Sequence, residues 1–522
     1  MITVSDTWKD IQQRFLLPET YIEIDCGITD DEAQSVAEAS GTDETIFSNA
    51  SSVVDNLADI AKYATLEQNL WSLDGTQAIL PSSGAYENSG YISDIESTGS
   101  VTLTFPAIRT TAISGVTITW SENYGEYAKT FSVIGKNGSD IISEVTVTDN
   151  KSNVSVVYLP LENYDGIVVM VHEWGLPDRR VRIEKIVIGH TLKFSKDDLF
   201  SYTHEQDGDL LSGQIPKYSI DFTLDNSDGR WDPNNPSGMA RYLSERQKLT
   251  VKYGLDVNGV VEWIKAGTFY LSEWSAPPNG IEARFIARDI FEFLLNEKYT
   301  LNKGGTISSD SPTLEQVLID VFASAELPDS FEYALNGSML PYYVPSINAE
   351  TEYTCAEIVQ LCANMGCCYI NYDRDGKLYI NDFVRPSSKE EIEYIVPISL
   401  SYAHPEVVLS KPLKNVSVDY GDNTYVLEVG TTGETQTVSN PILKDLLYAE
   451  DMANWVKYIL ESRKTVSGEY RADPRLDVYD VVVVESKYGE LSPVLITNIK
   501  YTFNGSFRGA YTGKIVSFSE VG

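Results

Sequence analysis

The sequence predicts a mainly β chain with an α+β stretch in its middle. β-Branched and aromatic residues, 32 tyrosines among them, alternate with polar ones in short runs. Gly, Asn and Asp turns separate these runs. Segments with helical period are few and short, and no repeat of about 20–50 residues is visible. At 522 residues the chain has room for about three or four domains. The pattern predicts two barrel-sized groups of strands, a β-sandwich inserted into the first group, and a small α+β unit between the groups.

In chain order, residues 1–64 hold a helix at 5–14 and a strand, TYIEIDCGI at 20–28, that has no partner before the sandwich begins. Residues 65–189 carry seven or so short strands with turn residues between them, from SVTLTFP through GVTITW and DGIVVMVHEW to RVRIEKIVIG. That spacing predicts an antiparallel sandwich. Residues 190–300 complete the first strand group with LFSYTHEQD, PKYSIDFTLDNSDGRWDPNN, QKLTVKYGLD, EWIKAGTFYLSEWS and GIEARFIARDIFEFL, with a helix near 287–295. The sandwich therefore reads as a guest that returns the chain close to where it left. Residues 301–390 form the α+β unit, with helices at 313–325 and 356–364 and then the hairpin CCYINYDRDGKLYINDF. An Asp-Gly turn between alternating apolar residues is a strong hairpin signal. Residues 391–522 carry a helix at 451–463 and a second strand group containing DPRLDVYD.

Composition narrows the function. The formal charge is −36, from 40 basic and 76 acidic residues. Wrapping a nucleic acid needs Lys and Arg to displace phosphate counterions, so this balance opposes it, as it opposes an anionic membrane surface. No run approaches the roughly 18 apolar residues of a membrane span. The start, MITVSDTWKDIQQRF, is acidic and amphipathic where a secretory signal is basic and then apolar. Synthesis in a cytoplasm without conventional export is the expectation. Of five cysteines, Cys355 and Cys362 share one face of the 356–364 helix, and Cys367 and Cys368 follow without metal-site spacing. Buried structural thiols are expected.

The passage FTLDNSDGRWDPNN, with KLTVKYG and GTFYLSEW, resembles the first tube-like barrel of bacteriophage tail hub proteins. The order of helix, strand, DPRLDVYD turn, strand and closing hairpin resembles the second barrel of the same family. The layout of 65–189, with Trp120-Ser-Glu and a late Arg-rich strand before IVIG, is similar to galactose-binding-like jelly rolls and carbohydrate-binding modules. The resemblance implies a tail-tip or baseplate hub in the virion, joining tube to tip. Its partners would be the tube or distal-tail ring and tip or fibre proteins. Two barrels per chain would close a pseudo-sixfold ring as a homotrimer. A hexameric distal-tail adaptor with an inserted carbohydrate module is the alternative, against which the second barrel counts. A glycan-degrading enzyme with an accessory module would need a catalytic domain that the sequence does not offer.

No enzyme is predicted. Paired carboxylates occur by chance among 76 acids. His172 opens VMVHEWG, but position 176 is Leu, so HExxH is absent. AYTGKI lacks the leading Gly and the Ser/Thr of a P-loop, and no Cys/His arrangement suggests a peptidase. Asn137-Gly-Ser and Asn336-Gly-Ser read as hairpin turns. No cofactor is expected. A structural Ca²⁺ through Asp74 and loop carbonyls has no spacing motif behind it.

Sugar recognition needs an aromatic face ringed by carboxylate, amide or Arg groups. SENYGEY brings Glu122, Tyr124, Glu126 and Tyr127 together, and HEWGLPDRR brings Trp174, Asp178, Arg179 and Arg180. Val116, Ile118 and Trp120 alternate onto one face, which makes Trp120 core, as Trp71 is. Tyr124 and Trp174 are the candidate platforms, with Glu122, Tyr127 and Arg179 as polar help. A cell-surface glycan is the expected ligand; a plain structural spacer is the competing reading.

Overall fold

The computed structural model describes residues 2–14, 19–41, 53–54, 91–94, 99–120, 126–175, 180–235, 238–277, 280–328, 330–348, 351–386, 392 and 394–517. The chain divides into two compact units. Unit 1 comprises Met1–Asp25, Phe194–Asn234 and Glu245–Gly522, and unit 2 comprises Cys26–Lys193 and Asn235–Ser244. The fold is mainly β, as the residue alternation predicts.

In unit 1 the strands hydrogen-bond in the order Glu406–Leu409, Lys464–Tyr470, Phe507–Ile515, Leu491–Phe503, Leu199–Asp207, Lys217–Asp225, Glu282–Arg288, Val260–Ser275 and Lys248–Val257. Val481–Glu485 branches from Leu491–Phe503. The path contains both predicted strand groups. Their joint is the antiparallel pairing of Leu199–Asp207 with Leu491–Phe503, from Tyr202↔Phe503 to Asp207↔Asn498. Alternation dictates the faces: in KYSIDFTLD, Ile220, Phe222 and Leu224 are buried, while Asp221 and Thr223 are not. Phe222 stacks on its cross-strand partner Phe285 at 5.2 Å, worth about 0.5–1.5 kcal/mol beyond burial. The DNSDGRW loop closes this wall. Buried Asn226 accepts the Trp231 N–H at 2.8 Å, and the Trp231 ring meets Phe285 edge-on. Residues 20–25 of strand Thr20–Thr29 lie beside Lys248–Val257, where Lys252 Nζ bridges Asp25 and Glu23.

The middle of the chain is α+β. Helices Leu314–Ser324 and Cys355–Met365 each begin with a capping box, Thr313 with Gln316 and Thr354 with Glu357. Strands Cys368–Tyr372 and Lys377–Asp382 form the expected hairpin, joined in parallel by Glu332–Leu335. Gly376 takes φ +94° in its turn, a conformation glycine tolerates. Three differences from the sequence reading stand out in unit 1. The helix near 287–295 is only Phe291–Leu294. The 451–463 helix is Leu446–Leu460, because Asp445 caps it by accepting the Leu447 N–H. Residues 413–439, counted with the second strand group, form a separate three-stranded sheet of Leu413–Tyr420, Asn423–Glu428 and Glu434–Ser439.

In unit 2 a five-stranded sheet runs Glu38–Gly41, Ser100–Arg109, Tyr164–Trp174, Ala128–Asn137 and Asp140–Val147. A second layer pairs Ile113–Thr119 with Val154–Leu161 and with residues 185–188 of Lys185–Ser195. The buried faces share one core, including Val101, Leu103, Ile118, Trp120, Phe131, Leu159, Ile167, Val169 and Ile186. The unit reaches back to Cys26 where the sequence reading began it at 65. Helix Asp31–Val36 supplies the reason: Gln34 donates to Val54 O and Ile186 O and accepts from Ile188 N–H. This buried side chain ties the lead-in segment to a late sandwich strand.

Candidate functional site

Of the predicted sugar-rim residues, the structure describes those next to the buried pair Glu126 and Trp174. Trp120 is core, as expected, donating from Nε1 to Ser155 Oγ at 2.8 Å and meeting Phe131 edge-on. Trp174, read as a possible platform, is only 4% exposed. Its ring packs against Trp120 at 5.9 Å, and its Nε1 donates to buried Glu126 at 3.1 Å. No face remains for a sugar, so Trp174 is a core residue. A bulge explains the difference: the register shifts between Thr130↔Glu173 and Phe131↔Val171, which inserts His172. The extra residue leaves Glu173 outside and swings Trp174 in.

Tyr127 is half-buried and its carbonyl accepts the Gly175 N–H at 3.0 Å. Glu122 and Tyr124, at 121–125, and Asp178 and Arg179, at 176–179, lie outside the described residues, as do Trp71 and Asp74. Strand Arg180–Ile183 includes Arg180. The described residues next to both segments are adjacent, because Ala128 pairs with Trp174 and the Glu126–Trp174 bond joins the same strands.

A second constellation, in unit 1, lies where the two strand groups join. The alternation in LFSYTHEQD turns Tyr202, His204 and Gln206 inward. His204 Nδ1 is 2.8 Å from the Tyr253 hydroxyl, which is 2.8 Å from that of Tyr202. Phe269 meets the imidazole edge-on. Burial, with Arg374 nearby, pushes the His204 pKa down to about 3, so the ring is neutral at ordinary pH.

The DPRLDVYD turn completes this joint. Asp473 and Arg475 form a buried bidentate pair. Gln206 donates to Asp477 at 2.9 Å and accepts the Val478 N–H at 3.0 Å. Tyr501 Oη lies 2.7 Å from Leu476 O and 3.0 Å from Asp473 O. Arg374, from the turn of the α+β hairpin, donates through Nε to both Asp477 oxygens at 2.9 and 3.0 Å. Its Nη atoms reach Lys265 O, Pro474 O and Leu476 O. One guanidinium thus ties the α+β unit, the first strand group and the turn of the second. In a DRDG turn an arginine reads as solvated; only its partners 100 or more residues away make it a clasp. Hydrogen bonding of this kind between segments far apart in the chain fixes their register.

The thiols are structural in character. Cys26, Cys355, Cys362 and Cys368 are buried and Cys367 is partly so; burial pushes the Cys362 thiol well up. Among the described residues no group of three or more His, Cys, Asp or Glu is placed to hold a metal ion. No described helix is long and apolar enough to cross a membrane.

No protein-family model and no curated protein matches the sequence. Among solved structures, the chain is similar to a tail protein from Neisseria meningitidis MC58, with 12% identity, TM-score 0.44, and 62% of this chain and 94% of that one covered. It is also similar to the 43 kDa tail protein of prophage MuSo2 from Shewanella oneidensis, at 13% identity and TM-score 0.42, with 62% and 95% covered. A prophage tail protein from Listeria monocytogenes EGD-e matches at 11% identity and TM-score 0.39, with 63% and 92% covered.

Proposed function

We propose that the chain is a structural hub subunit of a bacteriophage tail or phage-like particle, joining the tube to the tip as a homotrimer. The observation that carries this reading is the continuous run of strands through both groups of unit 1, locked at Leu199–Asp207 and Leu491–Phe503 by the Arg374–Asp477 clasp. Two strand groups held in fixed register within one chain are what a threefold subunit needs to occupy two positions of a pseudo-sixfold ring. Partners in this reading are the neighbouring ring and tip proteins of the virion. Mass photometry of the full chain tests it: three copies support the hub, and six copies defeat it.

The sandwich carries an adsorption role in the same reading. In this reading Tyr127 and segments 121–125 and 176–179, which hold Glu122, Tyr124 and Arg179 and flank the Glu126–Trp174 bond in sequence, carry glycan binding, while Trp174 stays buried. Three such sites raise avidity by roughly 10²–10⁴ over one if they engage together. Titration of the full chain against host-derived glycans tests this; no binding at any glycan makes the sandwich a spacer.

A further inference from the structure

Tyr21, Gly254 and Trp263 stand in one row across three neighbouring strands of unit 1, Thr20–Thr29, Lys248–Val257 and Val260–Ser275. The Asp256 N–H donates to Glu19 O at 3.1 Å, which sets Tyr21 beside Gly254, and Gly254 pairs with Trp263. Alternation turns Ile22, Tyr253 and Ile264 into the core, so the row faces outward. The indole rests on the glycine: a Cβ at Gly254 would meet Trp263 Cε3 and Cζ3 at 3.0 Å. A glycine inside a strand marks such a close approach. Tyr21 walls one side, its ring 6.3 Å from the indole and tilted by 55°. Lys196 Nζ lies over the Tyr21 ring at 4.7 Å, whereas Trp263 stays 41% exposed.

The rows on either side are polar, with Glu19 and Asp256 in one and Glu23, Lys252 and Lys265 in the other. Their charges are matched within the chain. Glu19 accepts the Tyr21 hydroxyl at 2.8 Å and pairs with Lys196. Lys252 bridges Glu23 and Asp25, and Lys265 pairs with Asp375 at 3.1 Å. Matched charges leave an ionic ligand little to oppose, yet carboxylates keep lone pairs and ammoniums keep protons for hydroxyl groups. The apolar part is small as well. Of the described large apolar residues in these strands, only Val260 and Trp263 are exposed. A protein partner covers about 800 Å² a side around a centre poor in Lys, Glu and Asp. One indole ringed by charges has instead the footprint of a single sugar ring. An aromatic face takes the apolar C–H face of a pyranose, and the polar rim takes its hydroxyls. We propose that this row binds a neutral hexopyranose chain, with Trp263 as the platform and Tyr21 as the wall. The ion pairs already hold the rim side chains, so little ordering is lost on binding.

This site goes beyond the hub reading and is separate from the glycan role of the sandwich, since neither the copy number nor Tyr124 enters it. Saturation-transfer difference NMR of the full chain with maltohexaose, cellohexaose and chitohexaose reads it. At least one of the three should bind wild type, and about tenfold more weakly Trp263→Ala. Trp263→Phe and Tyr124→Ala should bind close to wild type, and W263A should keep its far-ultraviolet circular dichroism. If W263A fails to fold, Tyr21→Ala decides: it should weaken the same probe, and a Y21A chain that binds like wild type overturns the site. A wild type that binds none of the three overturns it too. So does binding that a folded W263A leaves intact, or that Y124A alone abolishes, which would place the sugar on the sandwich. A W263A chain that keeps its sugar and changes its copy number makes this face a protein contact, and equally overturns the proposal.

Discussion

Replacing Arg374 with Met should destabilise unit 1 by about 3–4 kcal/mol, because breaking a buried ion pair from one side strands the other partner. Arg374 is 5% exposed and Asp477 25%. The variant leaves the Asp477 carboxylate with the Gln206 amide as its remaining side-chain donor in this cluster, and removes a donor from the carbonyls of Lys265, Pro474 and Leu476, the last of which keeps Tyr501. Loss of a buried pair typically costs about 3–5 kcal/mol. The partial exposure of Asp477 lets water relieve some of that, which places the expectation at the lower end. Arg284→Met is the control: its pair with Asp221 lies on the outer face of the strands, where an ion pair is worth about 0–1 kcal/mol. Urea denaturation of both variants gives the comparison. Adding Asp477→Asn to R374M should recover part of the loss, because it removes the stranded charge. An R374M chain within 1 kcal/mol of R284M refutes the clasp, on the threshold set by exposed pairs.

Acid should weaken the joint through His204. Its folded pKa of about 3 lies below the ordinary 6.5, so the unfolded chain takes the proton first as pH falls. The stabilisation is complete above pH 6.5 and lost progressively toward pH 3, by up to about 1.4 kcal/mol per pH unit. Asp289, raised to about 7 by burial, acts in the opposite sense: its contribution is present below 3.8 and lost as pH rises through 7. The difference in stability between wild type and His204→Gln isolates the histidine, and a difference independent of pH from 7 to 4 counts against a buried neutral ring. Trp174→Ala should destabilise unit 2 by about 3–5 kcal/mol, whereas Tyr124→Ala should reduce glycan retention without moving the melt; the reverse assignment would return Trp174 to the rim. Native thiol titration should leave all five cysteines slow to label, Cys367 included because burial pushes its thiol well up, and urea should expose all five. Rapid native labelling of Cys362 would contradict its burial.

Strands and helices were legible where one period ran without interruption. KYSIDFTLD sorts its side chains inside and outside as alternation requires, and the two capping boxes mark helix starts from Thr313 and Thr354. The lead-in segment 30–41 was not legible, because a six-residue helix and the four-residue strand Glu38–Gly41 carry too little pattern. Trp174 was misplaced because one bulged residue reverses the alternation, and a bulge leaves no mark in composition. At the joint the sequence puts Tyr202, His204 and Gln206 on one inward face, yet nothing local pairs Gln206 with Asp477, 271 residues away. DPRLDVYD was recognisable as a motif; its buried partners come from the fold.

Electron cryomicroscopy of the full chain tests the hub reading through the symmetry of the assembled ring. Three chains should surround one axis, with the Lys217–Asp225 and Phe507–Ile515 strand groups of each at alternating, quasi-equivalent positions. Six chains around the axis, each contributing one strand group, would contradict the account.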